Sequence, residues 1–260
     1  MNKLGQSKTG ILKAVSNALD LKQKVDKQAS LLVEAMQRGA SAVRKEASRI
    51  GPDFFVAHQL LGTGSFGEVF LVERKQDRKL LAMKVLSKKK IRQQNLKKYA
   101  ITERNVMCSM GEHPFIVQLR YAFQTKEHLF LISDYCPGGD LSQYLEIEGR
   151  FAEDKARLYI QEILLGIEAL HKQNIIFRDL KPDNVIIDKQ GHAMLTDFGL
   201  SRENVRRSEI GAKSFCGSYA YLAPEMLKKN GHGKAVDWYL LGVILYEMVT
   251  GLPPYYADDK

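Results

Sequence analysis

The segment Phe177–Asn184, read as FRDLKPDN, and the triplet Asp197-Phe198-Gly199 that follows it constrain this chain more than any other feature. Together they supply three carboxylates, a lysine, an arginine and an amide over a short, fixed span. Transfer of a phosphoryl group from ATP needs a carboxylate to orient the acceptor, a cation on the phosphates and oxygen ligands for magnesium. Asp179, Lys181 and the pair Asn184 and Asp197 meet those needs in turn. Each piece is common alone, but the ordered set rarely arises by chance.

The bulk properties leave room for such a domain. The chain has 260 residues, 45% of them hydrophobic, which suits one large or two small globular domains. No apolar run approaches the roughly 18 residues of a membrane-spanning helix. The first residues, MNKLGQSK, lack the apolar centre of a signal peptide, and Asn2 stands where myristoylation needs glycine. Cys108, Cys136 and Cys216 are odd in number and widely spaced. They make no zinc or disulfide pattern, and the expected compartment is the reducing cytoplasm or nucleus. The formal charge of +9 is spread between the N-terminal segment and Ser87–Lys98. With no zinc-finger spacing and no aromatic RNA-binding signature, no nucleic-acid partner is expected.

Residues 1–52 read as a basic helical extension. Leu12, Val15 and Leu19, then Ala29, Leu32 and Met36, recur at helical spacing. Over residues 1–53 ten Lys and Arg face five Asp and Glu. Such a helix could meet a membrane or a partner, but the apolar face is interrupted and lacks Trp and Phe, so a plain helical extension is the reading adopted. Ile50-Gly51-Pro52-Asp53 breaks the pattern and opens a second domain, 53–260. There Phe55–Leu61, Glu68–Glu73, Leu80–Leu86, Ile116–Phe123 and His128–Asp134 read as strands of a small antiparallel sheet. Lys89–Met110 reads as one or two helices. After Pro137-Gly138-Gly139 the chain turns helical, over Asp140–Glu148, Glu153–Lys172 and Val236–Thr250.

Gly62-Thr63-Gly64-Ser65-Phe66-Gly67-Glu68-Val69 fits GxGxxGxV. In a dinucleotide site such glycines join a strand to a helix. Here the strand-like Val69-Phe70-Leu71-Val72 follows, so they sit in a hairpin whose bare tip can lie over a triphosphate. Leu81-Ala82-Met83-Lys84 places a lysine inside an apolar strand, which is costly unless it is paired. Its expected partners are the phosphates and Glu103 on the following helix. Glu112 is the weaker candidate, beside Gly111 and Pro114 at the helix end.

GTGSFGEV, LAMK, FRDLKPDN, DFG, Ala223-Pro224-Glu225 and Asp237-Trp238-Tyr239-Leu240-Leu241-Gly242 resemble, in order, the protein-kinase signature set. Lys213–Ser218 before Tyr221-Leu222-Ala223-Pro224-Glu225, the TERN segment around Glu103, and Tyr135–Leu141 are similar to the AGC group, near protein kinases B and A. The resemblance covers about residues 53–260. It implies an α+β, bilobal fold: a small antiparallel-sheet N-lobe (53–135) with one main helix, and a mainly helical C-lobe (136–260) lacking its last helices. It implies an ATP- and Mg2+-dependent serine/threonine kinase.

The same resemblance implies a role for each matching residue. Asp179 orients the acceptor hydroxyl and takes its proton, Lys181 neutralises the transferred group, and Asn184 and Asp197 hold magnesium. Gly62, Thr63, Gly64, Ser65, Phe66, Gly67 and Val69 cover the nucleotide, with Ala82 and Ile186 in its apolar walls. Lys84, paired with Glu103, anchors the α- and β-phosphates. The backbone from Asp134 to Cys136 takes adenine, with Asp140 near the ribose and small Ser133 behind the base. Phe177 departs from the family's usual His or Tyr and is expected to pack in an apolar column with Phe198, Met107 and Leu119.

Arg178, buried beside an acid, is expected to hold an anion. Phosphorylation of Ser214 by an upstream kinase would supply it, with Arg202 as a second cation. Tyr99 stands where a third contact, usually His, would lie. Ser218 is expected near Asp179 and Lys181, which favours Ser/Thr acceptors. Asp183 and Glu247, with Asp140, match acidic positions that read basic residues upstream of the acceptor. The competing readings are a truncated, non-catalytic module that binds partners, and a small-molecule or lipid kinase, which the Ser214–Glu225 segment argues against.

Overall fold

The computed structural model describes residues 50–64, 67–205, 219–228 and 231–257. Residues 1–49, Ser65, Phe66, Ser214 and Ser218 lie outside them, and with them most of the expected helical extension. Asp53–Lys260 forms one compact unit.

Its first half is a five-stranded antiparallel sheet of order β1-β2-β3-β5-β4. The strands are β1 Phe55–Gly64, β2 Gly67–Arg74, β3 Leu80–Ser87, β4 Leu119–Gln124 and β5 His128–Asp134. Strand β3 shows why the register is fixed. Leu81 and Met83 are buried on one face of the strand, so a slip of one residue would turn that pair to the other face. Pairing puts Ala82 opposite Ser133, and Lys84 opposite Val69 on one side and Leu131 on the other.

The expected helical stretch after β3 is two helices, α1 Lys88–Gln93 and α2 Lys97–Ser109. Ser87 caps the first through its hydroxyl, which accepts from the Lys90 N–H. Asn95, in the left-handed region with φ 55°, separates them. The expected strand Ile116–Phe123 begins only at Leu119. Ile116 instead bridges in parallel to Leu195, and the Val117 N–H donates to Leu195 O at 3.0 Å. Local β-propensity is satisfied there by a distant partner rather than by β5.

The second half is helical: α3 Leu141–Glu148, α4 Glu153–Lys172, the single turn α5 Pro224–Leu227, and α6 Ala235–Thr250. Helix α4 buries Ala156, Tyr159, Ile163, Ile167 and Leu170, an i, i+3/i+4 stripe. Its first turn carries Glu153 and Asp154 and its last Lys172, each sign matched to the helix dipole. A Cβ on Gly166 would stand 2.8 Å from Leu195 Cδ1 and 3.1 Å from Phe115 O, so this glycine permits the close approach of α4 to the next hairpin. That hairpin, β6 Val185–Ile187 with β7 Ala193–Leu195, has strands of three residues. They are too short for periodicity to reveal, yet they position the site. Helix α6 is apolar nearly all round. It buries Val236, Leu240, Val243, Ile244 and Met248, while Trp238, Leu245, Tyr246 and Val249 are exposed.

Candidate active site

The site grows from the β6–β7 hairpin. Val185 pairs with Leu195, so the residues just outside the hairpin, Asn184 and Asp197, are brought to the same end. The Thr196 N–H donates to Asn184 O at 3.0 Å and locks that approach. Asn184 closes a 3-10 turn, Pro182–Asn184, and its Nδ2 donates to Asp179 O at 2.7 Å and to Asp179 Oδ2 at 2.9 Å. With its amide hydrogens committed to Asp179, Asn184 has its carbonyl oxygen to offer a ligand. Asp197 sits in the left-handed region, φ 56°, and Oδ1 accepts from the Gly199 N–H at 3.4 Å.

Across the cleft, Lys84 on β3 reaches Glu103 Oε1 on α2 at 2.5 Å and Asp197 Oδ1 at 3.4 Å. Glu103 is 3% exposed. Burial works against the Lys84 charge, but the two carboxylates outweigh it and hold the ammonium above its ordinary range. Burial pushes the Glu103 carboxyl up, with Lys84 opposing. The ion pair thus spans sheet, helix and the segment after β7, and its 3.4 Å arm ends on the residue that lies beside Asn184.

A cleft of about 590 Å3 runs between these groups, within the roughly 300–1,000 Å3 of small-molecule sites. Gly62, Thr63, Gly64, Gly67, Val69, Ala82, Lys84, Glu103, Asp134, Cys136, Asp140, Asn184, Ile186 and Asp197 all line it, as do Ser133 and Asp183. Leu61, Gln143 and Thr196 line it too and had no motif to mark them. Asp179 and Lys181 do not line the cleft. They stand at its side, tied to it through Asn184.

The glycines divide by purpose. A Cβ on Gly62 would meet nothing within 4 Å, which leaves open space for a ligand. A Cβ on Gly67 would lie 2.2 Å from Val85 O, so this glycine serves the approach of β2 to β3. Burial pushes the Cys136 thiol up to about 12, which disfavours its thiolate. Asp140 spends its carboxylate capping α3, where Oδ1 accepts from the Gln143 N–H at 3.0 Å and from the Ser142 hydroxyl at 2.5 Å.

Burial also raises the Asp179 carboxyl above the ordinary carboxylate range; Lys181 and the Asn184 bond oppose, and Asp197 and Asp183 add to it. A carboxylate displaced upward, half-buried and oriented by an amide, is suited to accepting a proton. Glu247 is raised by burial in the same way, with Asp183 adding to the rise. Its two oxygens accept from the Tyr221 hydroxyl at 3.0 and 2.7 Å.

Of the four residues expected to form an apolar column, two are in direct ring contact. Phe177 meets Phe198 edge-on at 5.5 Å between ring centres, and Met107 and Leu119 pack with the same cluster. Arg178 departs from expectation in part. Its Nε donates to Leu200 O at 2.8 Å and Nη2 to Ser201 O at 3.4 Å, so backbone carbonyls already hold part of the guanidinium where only an anion was expected. Arg202 is brought alongside by its backbone, which pairs with Ile176.

Asp237 organises the loop, and sequence reasoning gave it no role. It is fully buried at the start of α6. Oδ1 accepts from the Arg178 N–H at 2.8 Å, Oδ2 from the Phe177 N–H at 2.8 Å, and Oδ2 pairs with His171 Nε2 at 2.7 Å. A lone acid opening an otherwise apolar helix was the available signal, since a buried charge needs donors.

A small sheet and a helical half around a nucleotide-sized cleft, with a lysine–glutamate pair facing an aspartate–asparagine pair, define a class. The family description "Protein kinase domain" matches residues 55–260, and the chain belongs to that family. It is 45% identical over 215 residues to a RAC family serine/threonine-protein kinase homolog of Dictyostelium discoideum, covering 83% of this chain and 48% of that one. It is 46% identical over 208 residues to the serine/threonine-protein kinase Sgk2 of Homo sapiens, covering 80% and 56%, and 46% over 199 residues to the serine/threonine-protein kinase sgk-1 of Caenorhabditis elegans, covering 76% and 43%. The chain spans about half the length of these relatives.

Proposed function

We propose that this chain transfers the γ-phosphoryl group of ATP to serine or threonine hydroxyls of protein substrates that carry basic residues upstream of the acceptor. The observation that carries the reading is the convergence of Lys84, Glu103, Asp197, Asn184 and Asp179 at one cleft. Lys84, held by Glu103, binds the α- and β-phosphates. Asp179 orients the acceptor hydroxyl and takes its proton as the new oxygen–phosphorus bond forms and the β,γ-bridging bond breaks. Lys181 faces the charge on the transferred group.

Asn184 and Asp197 fit a magnesium ion, which binds through one or two protein oxygens and completes its shell with phosphates and water. The donors agree in kind, since the Asp197 carboxylate and the Asn184 carbonyl, whose amide hydrogens go to Asp179, are both hard oxygens. When bound, the ion neutralises the β- and γ-phosphate oxygens. Asp183 adds to the cost of ionising Glu247, and an arginine of the substrate would relieve it.

Phosphorylation of Ser214 by an upstream kinase is the proposed switch, acting on Arg178 and Arg202. The test is magnesium-dependent phosphorylation of an Arg-containing peptide, with Asp197→Ala as control. Turnover that survives Asp197→Ala, or a preference for acidic peptides, refutes the assignment. Ser214→Ala is expected to lower the rate of the phosphorylated protein to that of the unphosphorylated one. An unchanged rate refutes the switch.

A further inference from the structure

Outside the catalytic groups, a charge cluster stands where β5 leaves the sheet. Arg120 on β4 sets Nε 2.9 Å from both oxygens of Asp134, and Nη2 2.5 Å from Oδ2. Lys79, just before β3, reaches Asp134 Oδ1 at 3.0 Å. Arg120 Nη1 reaches Glu112, on the segment between α2 and β4, at 3.2 Å. The Asp134 N–H donates to Gln118 O at 3.1 Å. Glu112 braces Arg120, and two separate pieces of the small lobe, one at Lys79 and one at Gln118–Arg120, therefore meet at Asp134.

That residue is the last of β5, and with Tyr135 and Cys136 it lines the cleft. Arg120, Lys79 and Glu112 do not line it. The Asp134 carboxylate is thus claimed by cations that do not line the cleft. Burial acts to raise this carboxyl, but Arg120 and then Lys79 outweigh it and hold it below the ordinary range. A side-on, two-bonded guanidinium fixes direction as well as charge. Among the described residues, the segment beyond Asp134 has no strand partner until Gly138, whose N–H donates to Ile187 O at 3.0 Å.

We propose that Arg120, seconded by Lys79, is a positioning residue for adenine: by gripping the Asp134 carboxylate it fixes the backbone of Asp134–Cys136 against the base. This rests on the nucleotide reading of the cleft. Arg120 touches neither substrate nor metal, so its effect falls on nucleotide affinity and not on the chemical step.

The experiment measures binding of adenosine and of ATP to the full chain by calorimetry, with melting temperature alongside. Arg120→Ala is expected to weaken both ligands by the same factor, about three- to tenfold, as for loss of one charge-assisted contact. KM for ATP rises by that factor while kcat at saturating ATP stays unchanged. Arg120→Lys recovers part of the loss, and the reversed pair Arg120→Glu with Asp134→Lys recovers more than either single change. Should Arg120→Ala unfold, Asp134→Asn decides by the same two ligands. Unchanged adenosine affinity overturns the proposal, and so does a loss confined to ATP, which marks a bare charge effect. A wild-type chain that binds neither ligand overturns the nucleotide reading, and the positioning role with it.

Discussion

Replacing Asp237 by asparagine tests whether the loop carrying Asp179 is held from below. The carboxylate serves three groups from a fully buried site: the N–H of Phe177, the N–H of Arg178 and the ring of His171. An asparagine of the same shape has one accepting oxygen. With its oxygen toward Phe177 and His171, its NH2 group faces the Arg178 N–H. Turned over, it faces the Phe177 N–H. Either way one buried backbone donor loses its partner, at about 1–3 kcal/mol. The bonds that survive lose their charged acceptor, roughly 1 kcal/mol each. The sum is about 2–5 kcal/mol, a large share of the about 5–15 kcal/mol that holds a domain folded. The donor that is lost belongs to one of the two residues before Asp179, so the rate should fall as well. A displacement of about 1 Å there corresponds to about a hundredfold. Urea unfolding and peptide phosphorylation measure the two effects on one preparation. A stability change under 0.5 kcal/mol (about the scale of a neutral surface change), or a full-rate enzyme, would refute the reasoning.

Three further outcomes are expected. Glu103→Gln leaves Lys84 with Asp197 as its ionised partner at 3.4 Å, so Lys84 shifts from its phosphate-anchoring pose and kcat/KM for ATP falls about tenfold or more; steady-state kinetics with ATP varied decide it. Asp179 is raised above the ordinary carboxylate range, so kcat/KM should climb with pH through a folded-state value higher than about 3.9. For the same raised group, the stabilising effect is present at low pH and is lost as pH rises through the folded value. Inactive Asp179→Asn should therefore be more stable than wild type near neutrality, and that advantage should vanish on acidification, as unfolding at several pH values will show. Gly67→Ala drives a methyl against Val85 O, within 2.2 Å, and should cost about 1–3 kcal/mol by thermal unfolding, whereas Gly62→Ala, with nothing within 4 Å, should cost far less.

The long helix Glu153–Lys172 was legible because it buries one face, which leaves a period in the sequence, and the strand around Lys84 because it is a short apolar run with buried residues on both faces. The Lys84–Glu103 pair was legible for a related reason, since a lysine within an apolar strand requires a partner and few carboxylates follow it. The strand start at Ile116 was misread because its apolar residues satisfy a parallel bridge to Leu195, a partner no local window contains. The β6–β7 hairpin escaped for want of length, and Asp237, though it opens a quoted motif, was given no role because the groups it holds lie far from it in sequence. Gly67 was assigned to the nucleotide by its motif, while its contacts show a need set by the neighbouring strand.

The order of charged and polar residues along the chain determined the chemistry: which side chains could hold phosphate, take a proton or bind magnesium. That much is local, because residue type and spacing along a short loop are fixed by the covalent chain. The tertiary structure decided which of them meet. It set Asp197 beside Asn184 through a hairpin too short to foresee, and hung the Asp179 loop from a carboxylate far along the chain. It also turned Asp134 outward to Arg120 and Lys79. Those outcomes depend on burial and on partners distant in sequence, and the energy of a charge is set by what surrounds it once the chain has closed.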